Sequence, residues 1–265
     1  MRSGALVLCG LMALVTAESA FSAERPLSVK GKITTKDLEG RSLRELTLMR
    51  NTIYARAGNT FRKKWLRDHF TQQPWYRPTG LDLDRVGERD RNNADAIARF
   101  ENALPRLELE KRRTALLASH KAAPDRSAVG AEAWPANDLI ELMLLSRALG
   151  IAVDRKIDPE PSPLDDPSML DKLITVEQLA DLSPRDLKIT RNMIFARRGR
   201  VFKTPILREY FARMAWYVPD AKYTDDKLSE LDWKNVRIVE SVEAQIGTTD
   251  RKNELRERDE WMGGA

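Results

Sequence analysis

The chain has 265 residues, 42% of them apolar and 32% charged, with a formal net charge of +5 and a single cysteine. That composition suits ordinary globular cores. It excludes a disulfide-built scaffold and a thiolate metal centre, and the length allows one or two domains.

The chain opens with "MRSGALVLCGLMALVTAESAFSAERP": basic Arg2, an apolar run over residues 5–17, then small residues. This is the pattern of a secretory signal, assigned to residues 1–23. Cleavage after Ala17 and cleavage after Ser22 both fit, and an uncleaved anchor is the alternative, although the run falls short of the roughly 20 residues a span needs. Cys9 lies in this segment behind the bulky Leu8, so lipidation is not expected. The expectation is a periplasmic or secreted protein with no transmembrane span after cleavage. There a basic chain meets anionic lipid heads, wall carboxylates and phosphates rather than nucleic acid.

Shifting the remaining sequence by 141 positions lays "RNTIYARAGNTF" (50–61) over "RNMIFARRGRVF" (191–202), and one extra residue later brings Asp90 and Asn93 over Asp232 and Asn235. The expected fold is all-α: two similar small three-helix domains, residues 24–103 and 174–247. They are joined over 104–173 by a helical and Pro-rich linker, and a charged tail follows at 248–265. In each unit the first helix starts at a cap, Ser42 with Glu45 or Ser183 with Pro184 and Asp186, and ends at Gly58 or Gly199. A second helix carries Trp65, Leu66, His69 and Phe70, or Ile206, Leu207, Tyr210 and Phe211. A turn with Trp75-Tyr76 or Trp216-Tyr217 leads to a third helix, which in the first unit is read as running on over 104–121. A further helix is read from a cap at Asn137, and "KIDPEPSPLDDPS" reads as an extended linker.

Each repeated polar position has two readings. Arg50 and Arg191 share a stripe with apolar residues, which points them inward, with Asp90 and Asn93 or Asp232 and Asn235 as expected acceptors. Arg56 and Arg197 leave the helix on another side and are candidates for a carboxylate or phosphate, because guanidinium forks match those groups. Trp75, Tyr76, Trp216 and Tyr217 either close a small core or stack on a sugar ring. Asn51 and Asn192 are read as bonding to nearby backbone, and Gly58 and Gly199 as left-handed positions.

These residues, "IYARAG" or "IFARRG", then Phe, Leu, an aromatic-Phe pair, Trp-Tyr-x-Pro and an acid three before Asn, resemble the YARHG domain over 33–103 and 174–245. The resemblance implies a small extracellular bacterial module with no established catalytic activity. The name-giving histidine is absent, replaced by Ala57 and Arg198, and Phe195 replaces the tyrosine. Chemistry through that histidine is therefore not expected.

No HExxH, GxSxG, Walker A or GxGxxG stretch occurs, so no catalytic residue, metal or cofactor is assigned. His69 aligns with Tyr210 as a core position, and His120 lies at a charged helix end. The expected function is non-enzymatic binding of an anionic envelope component or another envelope protein. The alternatives are an envelope hydrolase working through repeated carboxylates such as Asp90 and Asp232, and a structural assembly or stress factor.

Overall fold

A computed structural model describes residues 31–247 except 62, 81, 159–160, 180–181 and 183. The signal segment, the charged tail and the Ser183 cap lie outside the described residues. Ten α-helices and no strand occur among those described. The first unit holds α1 (Thr35–Leu38), α2 (Leu43–Arg56), α3 (Lys64–Thr71) and α4 (Glu88–Ala103). Next come α5 (Arg106–Ala118) and α6 (Ala136–Leu149), and the second unit holds α7 (Val176–Leu179), α8 (Pro184–Ala196), α9 (Pro205–Ala212) and α10 (Glu230–Gly247). The all-α reading holds, with a one-turn helix added ahead of the three expected in each unit.

The start of α2 shows how local sequence and tertiary packing share one task. The first N–H groups of a helix lack intrahelical acceptors. Ser42 Oγ accepts from Glu45 N–H at 3.1 Å, and Glu45 returns a carboxylate to Ser42 N–H at 2.8 Å. The Leu43 and Arg44 N–H groups donate to Glu141 of α6, at 3.0 and 2.7 Å. A residue almost a hundred positions away therefore completes the cap. Beyond that point α6 lays Leu145 and Leu149 into the first unit's core, with Leu46, Met49 and Ile97.

Three expectations about the middle of the chain need correction. The third helix does not run on through 104–121: it stops at Leu104, and Pro105, which has no N–H and a fixed φ, starts α5 as a separate helix. Asn137 is not the cap of α6. Pro135 stands there, its carbonyl accepting from Asp138 and Leu139 N–H. The Pro-rich stretch is not an extended linker. Leu164 joins the second unit's core, and Asp165, 2% exposed, takes hydrogen bonds from Ser162 and pairs with Arg147 of α6. Prolines limit the helical options of a segment without keeping it in solvent.

The units touch directly. Helix α4 packs on α9, and Ala215 N–H donates to the Leu149 carbonyl at 3.2 Å. Charged side chains line the same seam. Arg185 of α8 bonds Asn102 Oδ1 at 2.8 Å and lies 3.9 Å from Glu101 of α4. Lys63 is 3.6 Å from Asp186, and Arg213 donates to the Glu101 carbonyl at 2.9 Å.

Candidate binding site

The residues of the repeated motif fall into two groups, those that hold each unit closed and those that reach the surface. Asn51 and Asn192 donate to the backbone carbonyls of Thr47 and Lys188, one turn back, both at 2.8 Å. Gly58 and Gly199 have φ of 90° and 93°. A Cβ on Gly58 would sit 2.6 Å from the Gly80 carbonyl oxygen, and one on Gly199 would sit 2.9 Å from Asp220 Cβ. Both glycines let the turn after the Trp-Tyr segment close over the end of the first main helix.

Asn93 and Asn235 tie the incoming chain to the last helix. Asn93 accepts from Ile33 N–H at 2.8 Å and donates to the Gly31 carbonyl. Asn235, fully buried, accepts from Ile174 N–H and donates to Leu170 and Lys172 carbonyls.

The inward arginines have different partners from those the spacing suggested. Arg50 pairs with Glu101 at 3.6 Å, not with Asp90 or Asn93, and Arg191 pairs with Glu243 and Glu240, both at 3.3 Å, not with Asp232 or Asn235. Glu101 and Glu243 are equivalent positions once the extra residue is allowed for, so the same bridge occurs twice. It lies near the end of the last helix because the two helices run side by side and bring Arg50 opposite that end.

Asp232 is 1% exposed and takes two hydrogen bonds from Arg198, at 2.8 and 3.0 Å, with more from Ser229. Burial opposes its ionised form, but Arg198 and Ser229 outweigh that and hold its carboxyl below the usual range. Asp90 has neither partner, since Ala57 and Gly87 stand at those positions. It lies at the surface beside Arg89. One of the repeated carboxylates that a hydrolase would use is therefore locked beneath a guanidinium.

The aromatic pairs divide. Tyr76 and Tyr217 donate their hydroxyls to the Asn59 and Arg200 carbonyls at 2.6 and 2.8 Å, and burial pushes both phenols up. Their rings pack with stacked Phe61 and Phe70, or Phe202 and Phe211. Neither hydroxyl faces outward.

The tryptophans and remaining arginines separate the two units. Trp216 is half-buried, with its Nε1 edge against the end of α6: a Cβ on Gly150, which caps that helix at φ 67°, would lie 2.7 Å from Trp216 Nε1. Arg197 is engaged by Asp171. In the first unit Trp75 is 42% exposed, and Arg56, also exposed, holds its guanidinium 5.7 Å from the indole centroid. Pro74 replaces Ala215, so the N–H that docks α6 on the second unit has no counterpart here. Arg56 and Trp75 form a cation beside an open aromatic face, a pairing that suits an anionic group next to an apolar or sugar-like surface.

Sequence reasoning missed the Glu101/Glu243 bridges, although the one-residue adjustment that aligned Asp90 with Asp232 also aligns them. It missed the seam charges as well, whose partners are far apart in sequence. Another unforeseen contact stacks His120 on Trp134 at 3.9 Å, with His120 bonded to Asp138 at 2.9 Å. That stack closes the α5–α6 connection. No group of three or more metal-ligating side chains occurs among the described residues, and none of the described helices is long and apolar enough to cross a membrane.

A family model, the YARHG domain, matches residues 23–102 and 165–244. No curated protein and no solved structure matches the chain. YARHG is an extracellular-type module of unknown function. With two tandem matches covering more than half its length, the chain belongs to the YARHG domain family.

Proposed function

We propose that this is a non-enzymatic binding protein of the bacterial envelope, periplasmic or secreted, that engages an anionic component through the Arg56–Trp75 face of its first unit. The observation that carries this reading is the contrast between equivalent positions. Trp216 is half-buried against α6 and Arg197 is paired with Asp171, while Trp75 and Arg56 are exposed at the surface. The secretory pattern of the first residues and the family's extracellular character support the location. Two equivalent sites acting together do not fit this contrast, so the second unit is assigned a supporting role.

The test is cosedimentation of the mature protein with peptidoglycan sacculi and with anionic vesicles, at low and high salt. Binding that weakens with salt and falls about tenfold in Arg56→Glu, a loss near 1.4 kcal/mol, is the expected result. Binding unchanged by Arg56→Glu and by Trp75→Ala would overturn the site. Absence of binding to both materials would shift the reading to a protein partner.

A further inference from the structure

Arg77 is a second cation beside Trp75, and the two units differ at it. Its Nη1 donates to the Pro74 and Tyr76 carbonyls, both at 2.8 Å, which holds the guanidinium against the peptides on either side of Trp75. Those bonds use one of the three nitrogens of the group. Arg56, Trp75 and Arg77 are all exposed, and the Arg56 guanidinium lies 5.7 Å from the indole centroid. A ligand seated at the ring has a cation from α2 and another from the turn that carries the ring.

The turn does not require an arginine. The counterpart of Arg77 is Val218, and the second unit closes the same turn: Tyr217 N–H donates to the Met214 carbonyl at 3.2 Å, as Tyr76 N–H does to the Gln73 carbonyl at 3.1 Å. Thr79 stands where the second unit has Asp220. The stretch from Gln72 to Gly80 thus carries Arg77 and no carboxylate, while residues 213–221 carry Asp220 and keep their arginine, Arg213, buried. Asp82, the next carboxylate along the first unit, is paired with Arg85 at 3.1 Å.

The exposed neighbours of Trp75 along this stretch include Gln72, Arg77 and Thr79, which bring amide, guanidinium and hydroxyl groups. A bilayer is held by buried apolar area together with charge, and an indole set among hydrogen-bonding groups suits it poorly. A sugar offers its C–H face to the ring, hydroxyls to Gln72 and Thr79, and an anionic substituent to the guanidiniums. Resting on the reading that this face is the binding site, we propose that its ligand is an anionic sugar, a pyranose bearing a carboxylate or a phosphate, which stacks on Trp75 and gives its anionic group to Arg56 and Arg77.

The test follows the indole N–H resonance of Trp75 in the mature protein by NMR, assigned by its loss in Trp75→Phe. The titrants are sodium glucuronate, glucose 6-phosphate, glucose, sodium acetate and sodium phosphate at matched pH and ionic strength. At least one charged sugar is expected to shift the resonance saturably, with glucose and the simple anions weaker by about fivefold or more, and Arg77→Val is expected to weaken that sugar by about fivefold, the upper end for an exposed ion pair. Val is the second unit's own residue at this position, so the variant keeps a turn the fold already makes. The tighter of the two charged sugars identifies carboxylate or phosphate as the bound group. A response to glucose equal to that of the charged sugars, no response to either charged sugar, or undiminished affinity in Arg77→Val would overturn the proposal. Anionic-vesicle binding that needs Arg56 while neither charged sugar shifts the resonance would overturn the sugar and keep the site; vesicle and sacculus binding unchanged by both Arg56→Glu and Trp75→Ala would overturn the site itself.

Discussion

At Asn235 one buried side chain satisfies three backbone groups that the fold places where no helix or strand can pair them. Truncation to alanine leaves the Ile174 N–H and the Leu170 and Lys172 carbonyls without that partner. Asn235→Ala is expected to lower stability by about 3 kcal/mol, measured by urea denaturation, and Asn93→Ala by less, because it makes two such bonds. The Arg198–Asp232 pair carries a pH signature. The folded-state pKa of Asp232 is lowered, so its contribution is complete above the unfolded value of about 3.9 and is lost as pH falls through and below it. Arg198 is 36% exposed, so screening limits the pair to about 1 kcal/mol. Asp232→Asn should melt about 3 °C below wild type at pH 7, with the gap closing toward pH 3.

Helix α6 joins the first unit's core, caps α2 through Glu141 and meets the Nε1 edge of the half-buried Trp216 at Gly150. Gly150→Ala places a side chain at positive φ, costing about 1 kcal/mol or more, and crowds the indole. The expected result is a lower melting temperature together with increased quenching of tryptophan fluorescence by acrylamide, as Trp216 loses its cover. The cap at Ser42 and Glu45, the ends at Gly58 and Gly199 and the all-α class were legible because each rests on residues within a few positions of one another. The break at Pro105 was legible too, had the missing N–H been weighed above the apolar periodicity on either side. Glu141, Asp165 and the buried strap were not legible, since their partners lie in other elements and proline content carries no information about burial. The exposure of Trp75 and the covering of Trp216 follow from what packs on each unit, which two nearly identical motifs do not encode.

Across the whole molecule the repeat has become asymmetric: one unit keeps a surface that the other has given to its own chain. The contacts across the seam are expected to make the units unfold together. Far-ultraviolet circular dichroism and tryptophan fluorescence should therefore give coincident urea transitions, and two separated transitions would contradict that coupling. Glu101→Gln removes the carboxylate shared by Arg50 and Arg185 and is expected to cost about 3 kcal/mol.

Hydroxyl-radical footprinting of the full chain with mass spectrometry reads whether Trp75 and Arg56 are open in the first unit while Trp216 and Arg197 are engaged by α6 and Asp171 in the second. Trp75 should be oxidised faster than the half-buried Trp216, and bound sacculi or anionic vesicles should slow Trp75 while leaving Trp233, 37% exposed on α10, unchanged. Equal oxidation of Trp75 and Trp216 in the free protein would mean that the two faces are alike.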